Sequence, residues 1–211
     1  MNIPIPDRYD FAYFAKKYFL KTGHAAEIGV FEGEFSAHNL NEWMGAFSRY
    51  WMIDTWAHRP DGTYDKNDVD AEYWQVVKNK AAKNTEFGRG YRSIVQGDSV
   101  SVAREFANEK FDWIFIDAGH DYRNCINDLR AWWPKLRPGG LFSGDDYGIG
   151  VEDVKMAPLT PERFEAKFGG LAKAYNWGTA SALHEFCQET GAKLNITWLN
   201  DKHGPAWYIM K

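Results

Sequence analysis

The sequence predicts an α/β fold: a mostly parallel sheet that ends in a C-terminal antiparallel hairpin, with helices on both faces. Three observations carry this. Short apolar runs alternate with longer amphipathic segments from Ala25 to Gly144, the order that builds a parallel sheet. The run Phe111 to Asp117 is apolar on both parities from Trp113 to Ile116, as a strand covered on both faces requires. The last two apolar runs, Lys193 to Leu199 and Ala206 to Met210, are separated by a turn, Asn200 to Pro205, and read as a hairpin.

Each element has its own signal. Asp7 to Lys21 places Phe11, Phe14, Ala15 and Tyr18 at helical spacing, so an N-terminal helix is expected within residues 1–22. Ala25 to Val30 is the first strand and Phe35 to Phe47 the helix after it. Arg49 to Asp54 is the second strand. Ala57 to Asp70 is polar and holds the turn signal Pro60-Asp61-Gly62. A helix over Ala71 to Thr85, a strand over Ser93 to Gly97 and a helix over Val100 to Asn108 follow. Phe111 to Asp117 is the fourth strand. Tyr122 to Leu136 is a helix stopped by Pro138-Gly139-Gly140, which leaves Leu141 to Gly144 as the fifth strand. Gly178 to Thr190 is a late helix ending at Gly191. Residues 149–177 match no element and are expected to form a variable lid or substrate segment. All 211 residues fit a single domain, 1–211.

Composition narrows the function classes. Hydrophobic residues at 45% and charged residues at 26% are ordinary for a soluble globular chain. A net charge of -4 with no Lys/Arg block argues against a nucleic-acid partner. Cys125 and Cys187 stand in no metal-ligand spacing and imply no disulfide framework, so a reducing, cytoplasmic setting is expected. No signal peptide and no membrane span are read from the sequence. The abundant aromatics are expected mainly to fill the core.

In such a sheet, ligands bind beyond the carboxyl ends of the strands. The first of these loops is Glu27-Ile28-Gly29-Val30-Phe31-Glu32-Gly33. Gly29 and Gly33 allow a tight turn and close approach to a ligand. The dinucleotide fingerprint and the P-loop are both absent, and Glu27 and Glu32 repel a pyrophosphate. A ligand carrying sulfonium and ammonium groups suits the loop instead. The helix N-terminus beyond Gly33, with the Ser36 hydroxyl, is expected to take that ligand's carboxylate. Asp54 ends the second strand and is placed to accept ribose hydroxyls; Trp56 is placed to stack on adenine. Asp98, before Ser99, is placed to accept from the adenine amino group. Plainer roles stay open: a turn cap for Asp54, a core position for Trp56 and a helix cap for Asp98.

The two later strand ends are more specific. Ile116-Asp117-Ala118-Gly119-His120-Asp121-Tyr122 and Gly144-Asp145-Asp146-Tyr147 bring three aspartates and a histidine to neighbouring strand ends. Clustered carboxylates repel one another unless a cation is present. An oxygen-rich set suits Mg²⁺ or Mn²⁺. The alternative is that these aspartates cap loops and His120 starts a helix.

Glu-Ile-Gly-Val-Phe-Glu-Gly, Phe-Ile-Asp-Ala-Gly-His-Asp-Tyr and Leu-Arg-Pro-Gly-Gly-Leu-Phe-Ser-Gly-Asp-Asp-Tyr resemble the class I S-adenosylmethionine-dependent methyltransferases. Within them the chain resembles the small metal-dependent O-methyltransferases of natural-product and sugar tailoring, of the macrocin O-methyltransferase type. The resemblance covers residues 24–148. It implies a Rossmann-like seven-stranded sheet with the last hairpin at its edge. S-adenosylmethionine is thus the expected cofactor, with Glu27, Gly29, Phe31, Gly33, Ser36, Asp54, Trp56, Asp98, Ser99 and Asp117 as its candidate binding residues. The resemblance further implies Mg²⁺ or Mn²⁺ on Asp117, Asp145 and Asp146, with His120 as general base. The expected partner is a small-molecule acceptor such as a sugar, phenol or catechol; oligomeric state is left open. The rival readings are a metal-independent N-methyltransferase, a nicotinamide-dependent oxidoreductase and a non-enzymatic binding module.

Overall fold

A computed structural model describes residues 4–46, 48–57, 70–147, 178–197 and 205–211. Seven strands form one sheet: β1 (His24–Ile28), β2 (Arg49–Asp54), β3 (Arg92–Gln96), β4 (Phe111–Ile116), β5 (Leu136–Gly144), β6 (Leu194–Ile196) and β7 (Trp207–Met210). Their order is β3-β2-β1-β4-β5-β7-β6. The first five run parallel, and β7 pairs antiparallel with both β5 and β6. The last strand therefore inserts between β5 and β6, completing the expected edge. Strand order reverses between β1 and β4, which opens the ligand crevice at their carboxyl ends.

Among the described residues the α-helices are α1 (Phe11–Phe14), α2 (Glu34–Trp43), α3 (Ala71–Asn84), α4 (Ser99–Ala103), α5 (Tyr122–Trp132) and α6 (Thr179–Thr190). Period-2 alternation along the strands feeds two core layers. Ala26, Ile28, Ile114 and Ile116 pack against α4, α5 and α6. Ala25, Met52, Trp113 and Phe115 pack against α1, α2 and α3. All six residues of β4 are buried, as its unbroken apolar run requires.

Several boundaries differ from the sequence expectation for local reasons. The N-terminal helix is split into a 3₁₀ turn at Arg8–Asp10, α1 and a π-helical turn at Ala15–Phe19. Helix α4 is shorter than expected and gives way to turns after Ala103. Helix α5 stops at Trp132, and a 3₁₀ turn, Trp133–Lys135, carries Pro134, whose missing N–H cannot continue the ladder. Strand β5 begins at Leu136, ahead of the Pro-Gly-Gly step, because a register shift between Phe111 and Trp113 absorbs the irregular residues. The segment 149–177 and the turn Pro60-Asp61-Gly62 lie outside the described residues, as do residues 200–204 of the terminal turn.

Candidate active site

The carboxyl ends of β1, β2, β4 and β5 open onto a cleft of about 890 Å³, within the range of small-molecule sites. Its floor is the turn after β1. Gly29 is left-handed with φ +88°, and a Cβ there would meet the Asp117 carbonyl oxygen at 1.7 Å. Only glycine lets β1 and β4 approach this closely. At Gly33 (φ +77°) a Cβ would meet the backbone of Ala81 in α3 at 2.9 Å. Both glycines line the cleft, yet packing between elements is what demands them.

Asp54 ties this turn to β2. Its Oδ2 accepts from the Val30 and Phe31 N–H groups at 2.8 and 2.9 Å. Its Oδ1 accepts from the Trp56 N–H at 2.9 Å. Phe31, Trp56 and Asp146 are held at positive φ (51°, 39° and 57°). Backbone conformations that side chains disfavour thus gather at these loops, as they often do at functional sites. Asp54, Phe31, Asp98 and Ser99 face the cleft. Asp98 also caps α4 by accepting from the Ser101 N–H, and Ser99 Oγ accepts from Trp132 Nε1 at 2.8 Å.

Three expected contacts are placed differently. The Ser36 side chain is fully buried and donates to Glu27 Oε2 at 2.7 Å, so its hydroxyl is committed to Glu27 and not to a ligand carboxylate. Trp56 is buried in the α1–α3 layer and donates through Nε1 to the Phe31 carbonyl; it packs beneath the loop and does not offer a face for adenine. Asp145 is also buried, and its carboxylate pairs with Arg8.

Glu27 is 1% exposed at the base of the cleft. Its Oε2 also accepts from the Tyr50 hydroxyl at 2.6 Å, and Asn39 donates to that hydroxyl in turn. Burial pushes the Glu27 carboxyl up to about 8, against the lowering effect of the Tyr50 and Ser36 hydrogen bonds.

At the β4 and β5 ends, His120 Nδ1 lies 3.0 Å from Asp146 Oδ2. Ligand atoms of Asp117, His120 and Asp146 all fall within 4.8 Å of one another. Asp145 does not belong to that group, but its Oδ1 is buried with no hydrogen-bond partner. Hard oxygen donors brought this close, beside an orphaned carboxylate oxygen, fit a divalent cation. Arg8 is the residue the sequence did not reveal. Its Nη2 lies 3.1 Å from Asp117 Oδ2, and its guanidinium stacks over Phe35 at 4.6 Å from the ring centre.

A glycine turn after β1, acidic strand ends and a crevice at the reversal of a parallel sheet define a Rossmann-like small-molecule site. The chain belongs to the methyltransferase domain family, whose model matches residues 26–147. It is an S-adenosylmethionine-dependent methyltransferase. No curated protein matches it. Its fold is similar to several solved structures. One is TomG, an O-methyltransferase from Streptomyces achromogenes involved in tomaymycin synthesis, solved with S-adenosylmethionine (TM-score 0.58, 12% identity, 96% of this chain and 78% of that one). CalS11, a TDP-rhamnose 3'-O-methyltransferase of calicheamicin biosynthesis, has a TM-score of 0.57 at 18% identity over 96% of this chain and 76% of that one. An O-methyltransferase from Bacillus cereus in complex with S-adenosylhomocysteine has a TM-score of 0.55 at 16% identity, covering 95% and 80%.

Proposed function

We propose that the enzyme methylates a hydroxyl group of a small molecule, a sugar, phenol or catechol, with a divalent metal ion orienting the acceptor. The observation that carries this reading is the Asp117, His120 and Asp146 group beside the crevice. That CalS11 is a TDP-rhamnose 3'-O-methyltransferase and TomG an O-methyltransferase of tomaymycin synthesis supports it. S-adenosylmethionine, when bound, would supply a methyl group on a sulfonium, activated for transfer to the acceptor oxygen.

The residues of the chain divide the remaining work. Gly29, Phe31 and Gly33 form the floor against which the donor lies, with Glu27 beneath them. Asp54 holds that floor in shape and retains acceptor capacity for ribose hydroxyls. Asp98 and Ser99 border the adenine end. His120 removes the acceptor proton. A hydrogen on Nδ1, donated to Asp146, leaves the lone pair on Nε2 to take it. Asp117 and Asp146 would hold Mg²⁺ or Mn²⁺, which would lower the pKa of a bound hydroxyl.

A methyl-transfer screen against sugar, phenol and catechol acceptors, with and without Mg²⁺, tests the reading. Transfer to hydroxyl acceptors is expected, with loss on chelation; chelator-insensitive methylation of nitrogen would overturn it. His120→Ala is expected to lower turnover about 10²–10⁴-fold while S-adenosylhomocysteine still binds in calorimetry. Unchanged turnover would remove His120 as the base.

A further inference from the structure

Among the described residues lining the cleft, nine carry carboxyl groups and Arg8 is the one with a permanent positive charge. Its guanidinium reaches two strand ends at once, pairing with Asp117 after β4 and with Asp145 after β5. The side chain is 11% exposed. It is wedged over Phe35 and Phe115, at 4.6 and 5.5 Å from the ring centres. Asp7 caps the 3₁₀ turn that carries it, accepting from the Tyr9 N–H at 2.9 Å. Arg8 is therefore a positioned cation inside an acidic cluster, and not a surface arginine that happens to meet a carboxylate.

We infer that Arg8 is a positioning residue that sets the charge of the metal centre. By pairing with one oxygen of Asp117 and one of Asp145 it offsets one of the three carboxylate charges gathered beside His120. Three carboxylates against one guanidinium leave two negative charges, matched to one divalent ion. Without Arg8 the cluster would carry three. This inference rests on the metal reading proposed above and adds to it the residue that limits the affinity and the charge preference of the site.

The sign of the effect makes the test sharp. Loss of a merely structural residue weakens metal binding or leaves it alone, whereas removal of a competing positive charge strengthens it. Mn²⁺ and Tb³⁺ affinities are measured for the wild-type chain, Arg8→Gln and Arg8→Lys, by calorimetry and by sensitised terbium emission. In Arg8→Gln, Mn²⁺ is expected to bind about tenfold more tightly or better, the scale of one unit charge acting at close range in a water-like dielectric. Tb³⁺ is expected to gain more than Mn²⁺, because attraction scales with the charge of the ion. Arg8→Lys, which keeps the charge, should stay near wild type in both affinities and in their ratio. Equal or weaker Mn²⁺ binding in Arg8→Gln overturns the inference and leaves the metal reading standing. Absence of metal binding in all three proteins overturns both.

Discussion

Glu27 joins full burial to two hydroxyl donors on one oxygen, and its acidity has a consequence for stability. The folded state keeps the carboxyl protonated up to about pH 8, whereas an unfolded chain releases that proton near the ordinary carboxyl value of about 4.3. Between these limits the folded state binds more protons. Its stability is therefore full below the unfolded value and falls as pH rises towards 8, by up to about 1.4 kcal/mol per pH unit. Glu27→Gln keeps an oxygen for Ser36 and Tyr50 and removes the titration. The melting temperature of the variant, relative to wild type, is expected to rise from pH 5 to pH 8. A difference that does not change with pH would show that Glu27 titrates normally. At this scale the sequence showed which acids meet at the strand ends, since each sits in or beside a turn that follows an apolar run. It did not show their partners. Ser36 and Glu27 are nine positions apart, but Arg8 and Asp117 are separated by 109, and no local pattern marks such a pairing. Trp56 was legible only as an aromatic near the site; its burial depends on how α3 packs over the loop.

Strand β4 has a second acid at its opposite end. Asp112 is fully buried. Its Oδ2 accepts from the Lys21, Thr22 and Gly23 N–H groups at 2.9, 2.7 and 2.7 Å, and its Oδ1 from Arg137 Nε at 2.5 Å. One carboxylate thus fastens the exit of the N-terminal helical segment to the starts of β4 and β5. Asp112→Ala would strip a mostly buried guanidinium of its carboxylate partner and leave three N–H groups without their acceptor. A loss of about 3–5 kcal/mol is expected, seen in denaturant titration. Asp112→Asn, which retains an acceptor, should lose less. If Asp112→Ala costs under about 0.5 kcal/mol, the range of an ordinary surface change, the anchor is not structural. The elements themselves were legible where period and caps agreed. Arg49–Asp54 matches the expected second strand at both ends, and α3 and α6 lie within a residue of expectation. Strand β5 was misjudged at its start because Pro138-Gly139-Gly140 reads as a stop. In the sheet these residues are carried by a register shift, a tertiary accommodation that no single segment encodes.

At the scale of the molecule, the α/β class and the location of the site followed from the alternation of elements. The place of the terminal hairpin at the sheet edge is implied by family resemblance and not by spacing, and the insertion of β7 between β5 and β6 comes from the structure, because a hairpin fixes its internal pairing and not the edge it joins. The sheet keeps its ligand crevice and its main polar anchor at opposite ends. Asp117 follows β4 and Asp112 lies near its start, about 16 Å apart at roughly 3.3 Å per strand residue. Sites this far apart with no shared partner act additively. S-adenosylhomocysteine at 100 times its Kd should stabilise the wild-type chain by about 2.7 kcal/mol, or about 5–11 °C in melting temperature for a domain of this size. NAD at the same concentration should produce no shift, since Glu32, Glu34 and the strand-end aspartates lining the cleft repel its pyrophosphate. Asp112→Ala should melt lower and yet gain the same free energy from S-adenosylhomocysteine, within about 0.5 kcal/mol. A variant that folds but has lost the ligand shift would mean that the anchor end of β4 governs the shape of the crevice. A shift with NAD as large as that with S-adenosylhomocysteine would mean that the floor after β1 does not select its ligand by charge.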